Sequence, residues 1–227
     1  MEGILYVVGT PIGNLGDITL RALETLKAVD VIAAEDTRVT KKLLDRYEIR
    51  KPLISLRARS PRAAFEKVAT LVSEGKSIAY VTDAGTPGIS DPGSILVQLV
   101  RDQCGEKSIV IIPGVSALTA VLSAAGMRTD RFSFLGFLPH KKGRQKMLAM
   151  ALSEGNALVI FESPHRIKKL FVELSSREPD REAIIGRELT KMYESIVHGT
   201  IADLRRRLDS GDIPTRGEFV VVIGSRL

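Results

Sequence analysis

The feature that most constrains the fold is a regular alternation of two kinds of segment. Short runs of β-branched residues, such as Ile4–Val8, Val31–Ala34 and Ser77–Val81, alternate with longer stretches of helical periodicity. In the first long stretch Leu20, Leu23 and Leu26 are expected to form one buried apolar stripe. A strand–helix–strand order favours a mainly parallel sheet covered by helices. The first half of the chain is therefore predicted to be an α/β domain.

The remaining elements of this half follow the same pattern. Further strands are predicted at 53–55 and 108–112, and helices at 17–28, 37–47, 60–73 and 94–102. Asp17 is predicted to cap the first helix, and Ser60-Pro61 supplies a cap followed by proline at the first helical position.

The pattern changes after Pro113. An apolar helix at 116–125 is expected to belong to the core, and Ser163-Pro164 is expected to begin a later helix. Strands are predicted at 133–137, 157–161, 182–186, 194–198 and 218–223, and helices at 143–154, 164–175 and 201–209. We therefore predict two domains, an N-terminal α/β domain (1–113) and a C-terminal α/β domain (114–227) with a mixed sheet.

Composition limits the class of protein. The chain has 227 residues, 44% hydrophobic and 26% charged, which is ordinary for a folded globular protein. It contains neither an apolar run long enough for a membrane span nor a secretory leader, so we expect a cytoplasmic protein with no membrane partner. The formal net charge of +6 favours an anionic partner, either nucleic acid or an anionic small molecule.

Metal and nucleophile chemistry have little support in the sequence. Cys104 is the single cysteine, and the three histidines, His140, His165 and His198, show no metal-ligand spacing. No serine lies in a G-x-S-x-G elbow. We expect no metal site and no catalytic triad.

The opening loop, Val7 to Asp17, reads "VVGTPIGNLGD". It approaches the dinucleotide pattern G-x-G-x-x-G, but Pro11 stands in place of the first glycine. Proline has no N–H to offer a phosphate and fixes φ, so Pro11 argues against a dinucleotide site. The glycines then serve either close backbone packing or a ligand of another kind.

Carboxylates follow the second and the fourth predicted strands. "VIAAEDTR" places Glu35 and Asp36 after the second strand, where they are candidates for binding or acid–base work. The alternative is that Asp36 or Thr37 only caps the next helix while Arg38 pairs with Glu35. "VTDAGTPGISDPG" places Asp83 after the fourth strand, in a long loop of turn residues whose alternative explanation is turn chemistry with Asp91 as a helix cap.

Two later segments suit anions. The helix beginning near Ser116 offers free N–H groups at its N-terminus. "GFLPHKKGR" is a proline-broken loop with Lys141, Lys142 and Arg144, which is either a solvated charged surface or a clamp for backbone phosphates.

Eight motifs together resemble one known family over nearly the whole chain. They are "GTPIGNLGDIT", "AAEDTR", "DAGTPGISDPG", "IPGVSA", "GFLP", "FESPHR", "RELTK" and "GEFVVVI". Their order and spacing are similar to those of the ribosomal small-subunit methyltransferase I group of the tetrapyrrole methylase superfamily. The resemblance implies two α/β domains, a cofactor cleft between them, and a homodimer.

The resemblance also implies an activity and its residues. It implies S-adenosylmethionine as cofactor and methylation of the ribose 2′-oxygen of a cytidine in the decoding centre of 16S rRNA, with free rRNA or the small ribosomal subunit as partner. Because this cofactor has no phosphate, a site for it does not need the N–H that Pro11 lacks. The implied cofactor contacts are Gly9, Thr10, Pro11, Asp83, Gly85, Thr86, Ser116 and Ala117, with adenine near Phe161, Glu188 and Leu189.

Transfer from an activated sulfonium requires mainly that the 2′-hydroxyl be aligned and lose its proton. We take Asp36 as the base or orienting group, Glu35 as its substitute, and Arg38 as the group that steers a phosphate or carboxylate.

The chain departs from the family pattern in two places. It reads "LRARS" where relatives commonly carry histidine and asparagine, so Arg57 and Arg59 are expected to contact phosphate together with Lys141, Lys142 and Arg144. It also stops at Leu227, where many relatives continue with a helical tail, so RNA docking is expected to use the core more.

Three other functions stay open on the sequence alone. A tetrapyrrole methyltransferase would share the fold and cofactor, and its carboxylate-bearing substrate would also suit a basic protein. A non-catalytic RNA-binding or ribosome-assembly module would be satisfied by the net charge of +6. An NAD-dependent oxidoreductase is disfavoured by Pro11.

Overall fold

The computed structural model describes residues 3–226. The chain divides into two compact units, called here unit 1 (Met1–Ser116) and unit 2 (Ala117–Leu227). The domain limits of 1–113 and 114–227 stay a prediction. Among the described residues, no helix has both the length and the apolar character that crossing a membrane requires.

Unit 1 contains a five-stranded sheet in which all neighbouring strands are parallel. The strand order is β3-β2-β4-β1-β5. In chain order the elements are β1 (Ile4–Val8), α1 (Leu20–Ala28), β2 (Val31–Ala34), α2 (Thr37–Arg46), β3 (Leu53–Ser55), α3 (Arg62–Ser73), β4 (Ser77–Val81), α4 (Gly93–Cys104) and β5 (Ile109–Ile112). The predicted parallel α/β sheet is confirmed.

Helices cover both faces of this sheet. Ala22 and Leu26 of α1 and Leu44 of α2 belong to one apolar cluster, whereas Phe65 of α3 and Leu96 of α4 belong to the other. The neighbouring strands β1 and β4 therefore lead to helices on opposite faces. Such a switch in direction opens a crevice at the carboxyl ends of the two strands, which is where ligands bind in open α/β sheets.

The predicted buried stripe of α1 is wrong at Leu20, which is exposed at the first position of the helix.

Unit 2 contains a second five-stranded sheet, with strand order β6-β7-β10-β8-β9. Only β6 and β7 are parallel, so this sheet is mixed, as predicted. The elements are α5 (Ala117–Ser123), β6 (Phe132–Phe137), α6 (Arg144–Ser153), β7 (Ala157–Glu162), α7 (Ile167–Ser175), β8 (Glu182–Arg187), β9 (Ser195–Thr200), α8 (Ile201–Ser210) and β10 (Phe219–Ile223). Leu148 of α6, Phe171 of α7 and Leu204 of α8 pack on one face of this sheet.

Two predicted helix starts in unit 1 are wrong. Thr19, and not Asp17, caps α1, since its side chain accepts from the Ala22 N–H at 3.1 Å. Asp17 ends a short 3-10 helix, and its Oδ2 is buried without a hydrogen-bond partner in the described part of the chain. Helix α3 begins at Arg62 after an uncapped Pro61, because the Ser60 hydroxyl accepts from the Arg57 N–H in the preceding turn instead.

Unit 2 also differs from expectation in two helices. Helix α7 begins at Ile167, because the Ser163 carbonyl closes a turn by accepting from the N–H groups of Arg166 and Ile167. Helix α5 is not a core helix: only Val121 among its residues is fully buried, and Thr119 is exposed. Its apolar composition does not place it in the apolar cluster beneath α6, α7 and α8.

The cap of α1 can be tested directly. We expect Thr19→Ala to lower the free energy of unfolding by about 1 kcal/mol, because the Ala22 N–H loses its acceptor. Asp17→Ala serves as the comparison and should cost less than half as much. Urea unfolding followed by circular dichroism measures both. A larger loss in Asp17→Ala than in Thr19→Ala would return the cap to Asp17.

Candidate functional site

The carboxyl ends of β1 and β4 are joined by backbone hydrogen bonds beyond the sheet. The Thr10 N–H donates to the Gly85 carbonyl and the Gly85 N–H donates to the Thr10 carbonyl, each at 3.0 Å. The Thr10 side chain also donates to the Thr82 carbonyl at 3.3 Å. The opening loop and the loop after β4 are therefore one connected structure at the switch point of the sheet.

Glycine lets the loop after β5 reach the same place. A Cβ on Gly9 would lie only 2.7 Å from the Gly114 nitrogen, so any other residue there would collide with backbone. Thr86, from the loop after β4, donates its hydroxyl to the Val115 carbonyl at 3.3 Å. Gly85 itself has φ +85, a conformation that favours glycine. These glycines serve close approach and turn geometry.

The opening loop does not form an anion cradle. Asn14 Oδ1 accepts from the Gly16 N–H at 3.0 Å, and a 3-10 helix separates the loop from α1. Pro11 is buried. At the ends of β1 and β4 the N–H groups of Thr10 and Gly85 donate to each other's carbonyls, so neither N–H is available to an anion. Such a surface suits a cationic or hydroxyl-bearing ligand better than a phosphate.

The carboxylates after β2 also connect to β4. Glu35 accepts from the Thr82 hydroxyl at 2.7 Å, and Asp83 accepts from the Asp36 N–H at 2.8 Å. The acids predicted at two strand ends are thus brought together in unit 1. Asp83 is exposed, whereas Glu35 is half-buried.

Asp36 forms a tight local pair with Arg38. It caps α2 by accepting from the Arg38 N–H at 2.9 Å, and the Arg38 guanidinium contacts both of its carboxylate oxygens, with Nη2 2.6 Å from Oδ2. Arg38 does not pair with Glu35, because a cap at Asp36 turns its own carboxylate toward the first turn of the helix. The hydrogen bonds from Arg38 lower the pKa of the Asp36 carboxyl well below its ordinary value. Asp36 is therefore ionised, and it is a weak proton acceptor.

The long loop after β4 is ordered by its own aspartate. Asp91 accepts from the N–H groups of Gly88 and Gly93, each at 2.7 Å, and from the buried Tyr80 hydroxyl at 3.4 Å. Asp91 therefore contacts the first residue of α4, but it is not the helix cap: that position is Pro92, which makes no side-chain cap bond. Burial raises the pKa of Tyr80, so its hydroxyl stays protonated and able to donate.

Four predicted cofactor contacts lie in unit 2. Phe161 packs edge-to-face against Phe134, with ring centroids 4.9 Å apart. Glu188, at φ +50, accepts from the Glu218 N–H, directly before β10, at 2.8 Å and pairs with Lys191 of its own loop at 3.0 Å. Leu189 is buried, and Ala117 begins α5. The roles of these residues stay predictions.

The predicted phosphate contacts separate into two groups. Arg57, Arg59, Lys141 and Lys142 are exposed, and none of them makes an ion pair within residues 3–226. Arg144 is a correction: it is only 2% exposed, so it cannot reach a phosphate on the surface. Its Nε lies 2.8 Å from Glu173 and its Nη1 lies 3.2 Å from Glu162.

The sequence analysis missed this buried ionic cluster, which we call the Arg144 cluster: Arg144, Glu162, Arg166 and Glu173. Arg166 Nε lies 2.7 Å from Glu162. A signal was present, since Glu173 lies within the apolar stripe of α7 formed by Leu170, Phe171 and Leu174. A charged residue on such a stripe is buried only when it is paired.

No group of three or more histidine, cysteine, aspartate or glutamate side chains is arranged to hold a metal ion in the part of the chain from Gly3 to Arg226.

Comparisons with known proteins agree on one family. Residues 4–205 match the model for tetrapyrrole (corrin/porphyrin) methylases. A ribosomal RNA small subunit methyltransferase I of Borrelia garinii subsp. bavariensis is 45% identical, and the match covers 97% of this chain and 98% of that protein. The protein of the same name from Thermotoga maritima is 41% identical, with 99% of each chain covered.

Solved structures give the same fold at low sequence identity. The methyltransferase CobJ superposes with a TM-score of 0.72 at 20% identity, covering 98% of this chain and 94% of that chain. A diphthine synthase superposes with a TM-score of 0.69 at 16% identity, covering 98% and 90%.

The close approach at Gly9 yields a stability test. We expect Gly9→Ala to destabilise the protein by about 1–3 kcal/mol, because the new methyl group meets the backbone of Gly114. Gly16→Ala is the matched control in the same loop, since the nearest neighbour of its new methyl group is a side-chain oxygen, Asn14 Oδ1 at 3.2 Å, and not backbone. Thermal and urea unfolding measure both. Wild-type stability in Gly9→Ala would contradict the close-approach explanation.

Proposed function

Because the chain belongs to the tetrapyrrole methylase family, within its ribosomal RNA small subunit methyltransferase I group, we propose that it methylates the RNA of the small ribosomal subunit. Methyltransferases of this family use S-adenosylmethionine. More specifically, we propose the ribose 2′-oxygen of a cytidine in the decoding centre of 16S rRNA as the methylated atom. The observation that carries the proposal is the convergence of three strand-end loops at the switch point of unit 1.

The residues of unit 1 fit this cofactor. Its sulfonium and ammonium groups are cationic and its ribose carries hydroxyls, so these parts need acceptors, and the cofactor has no phosphate that would require an anion cradle. Thr10, Asp83, Gly85 and Thr86 lie where the loops after β1 and β4 meet, and Gly9 leaves room for close backbone approach to Gly114. We propose these residues, together with Pro11 and Ser116, as contacts of the methionine and ribose parts.

When bound, S-adenosylmethionine supplies a methyl group on a sulfonium, which is already an activated leaving group. The protein must then hold the acceptor hydroxyl in line and provide for its proton. The low pKa of Asp36 favours an orienting role for this residue over a role as base. Glu35, which accepts from the Thr82 hydroxyl, is the remaining candidate to receive the proton.

The exposed cations suit the RNA. Arg57 and Arg59 follow β3 on the same sheet edge as Asp36, and the electrostatic field of Arg57 contributes to the lowered pKa of Asp36. Cations that are free of ion pairs are available to phosphate oxygens, which supply most of the affinity in nucleic-acid binding. We propose Arg57, Arg59, Lys141 and Lys142 as phosphate contacts.

A methyl-transfer assay tests the activity. The protein is incubated with methyl-labelled S-adenosylmethionine and small ribosomal subunits from a strain that lacks the enzyme, and in parallel with naked 16S rRNA and with a carboxylate-bearing tetrapyrrole. We expect label in 16S rRNA at a nucleotide that resists alkaline cleavage, because a methylated 2′-oxygen cannot attack the adjacent phosphate. Label on no RNA would overturn the proposal, and label on the tetrapyrrole alone would establish the alternative activity.

The role of Asp36 at the end of β2 is tested with a variant that keeps the fold. Asp36→Asn retains an efficient helix cap but loses the charge, so we expect an approximately hundredfold lower kcat with unchanged cofactor affinity. The kcat of Asp36→Asn should keep the wild-type pH dependence between about pH 5 and 8, since Asp36 does not titrate there. Calorimetry with S-adenosylhomocysteine measures the affinity.

Asp45→Asn, on an exposed position of the same helix, is the matched control and should behave as wild type. Unchanged turnover in Asp36→Asn with intact cofactor binding would remove Asp36 from the site.

A further inference from the structure

We propose that Phe137 is a stacking platform for an unpaired nucleobase of the RNA substrate, flanked by Lys141 and Lys142 as contacts to the adjoining phosphates. The site lies wholly in unit 2, at the carboxyl end of β6. The inference rests on the proposed function in that it takes RNA as the substrate.

The position of Phe137 depends on a bulge in β6. Phe134 pairs with Val159 of β7 while Phe137 pairs with Phe161, so three residues of β6 run beside two residues of β7. The extra residue brings Phe137 to the same face as Phe134, against the usual alternation of side chains. Gly136, at φ +58, provides the left-handed conformation that this geometry needs.

The Phe137 ring is braced and yet open to solvent. The Phe161 ring packs edge-to-face against both Phe134 and Phe137. The ring centroids are 4.9 Å apart in the pair with Phe134, with an interplanar angle of 70°, and 5.7 Å apart in the pair with Phe137, with an angle of 65°. Phe134 and Phe161 are half-buried, whereas Phe137 is 56% exposed. Edge-to-face packing holds the Phe137 ring from one side, so it presents exposed aromatic surface without a large loss of side-chain freedom on binding.

The segment that follows Phe137 is fixed at both ends. Leu138 is buried, and its carbonyl accepts from Arg166 Nη1 at 2.9 Å. Six residues later, Arg144 is buried in the Arg144 cluster. Arg166 and Arg144 both contact Glu162, so one carboxylate ties the two ends of the segment together.

Between these anchors every residue is exposed. The stretch from Pro139 to Gly143 reads "PHKKG", and neither Lys141 nor Lys142 makes an ion pair within the described residues. A solvated charged surface usually mixes both signs, but this segment carries cations only. Buried carboxylates hold the segment from beneath, while its exposed surface is positive.

The combination identifies the ligand chemistry. Proteins that bind single-stranded nucleic acid combine an aromatic ring, on which a base stacks, with cations that follow the backbone. Double-stranded RNA offers no unstacked base to such a ring. The cations that follow Phe137 favour RNA over a protein partner, because the core of a protein–protein interface is depleted of charged residues, whereas phosphate contacts supply most nucleic-acid affinity. We therefore assign the surface to an unpaired nucleotide.

Fluorescence anisotropy with a short labelled single-stranded RNA tests the assignment. We expect Phe137→Leu to weaken binding about tenfold, and Phe137→Trp to keep the wild-type affinity because it restores an aromatic face. Phe132→Leu is the matched control: Phe132 lies on the same strand and is 41% exposed, and its substitution should leave RNA affinity unchanged.

Replacement of both Lys141 and Lys142 by Gln should reduce the slope of log affinity against log salt by about 1.4, whereas the same change at Lys168 and Lys169 should not.

Three results would overturn the inference. The first is an equal loss of RNA affinity in Phe137→Leu and Phe132→Leu. The second is a loss of affinity of Phe137→Leu for a duplex of the same sequence that equals its loss for the single strand. The third is a loss of S-adenosylhomocysteine affinity in Phe137→Leu, which would show that Phe137 contacts the cofactor. In each case wild-type RNA binding and methyl transfer would leave the proposed function standing. A wild-type protein that binds the cofactor but no RNA would overturn both.

Discussion

The pairing of Thr10 with Gly85 is the interaction on which the candidate site depends. Strands β1 and β4 are neighbours in the sheet but lead to helices on opposite faces, so their loops would diverge if nothing joined them. Two backbone hydrogen bonds of 3.0 Å hold the loops together beyond the sheet, and Gly9 lets the loop after β5 join them. The N–H groups of Thr10 and Gly85 are used within the chain in this way and are not available to an anionic ligand.

Charge is used differently in the two units. In unit 1, Asp36, Asp83 and Asp91 each accept from at least one backbone N–H group, so carboxylates shape the loops that surround the switch point. In unit 2, Glu162 and Glu173 are buried with arginines and fix a segment whose exposed residues are cationic. Buried ion pairs are costly unless their geometry is good, and their best-attested benefit is to specify one arrangement. Here that arrangement presents Lys141 and Lys142.

The fold and the family could be predicted because they depend on local pattern. Each strand of the two sheets falls within two residues of its predicted position among the described residues, since β-branched runs bounded by turn residues have few alternatives. Helix starts were less predictable. Asp17 and Thr19 are both good caps, and the choice between them depends on the 3-10 turn before α1, which the periodicity does not encode.

The sequence by itself determined the order of strands and helices, the carboxylates at strand ends and the absence of an N–H at Pro11, because these follow from residue type and spacing. Only the tertiary structure decided which charged groups are paired. Arg144 and Lys142 are two residues apart in one basic run, yet one is buried against carboxylates from β7 and α7 and the other is exposed. The reason is physical: the state of a charge depends on its neighbours in space and on its access to water, and distant segments supply both.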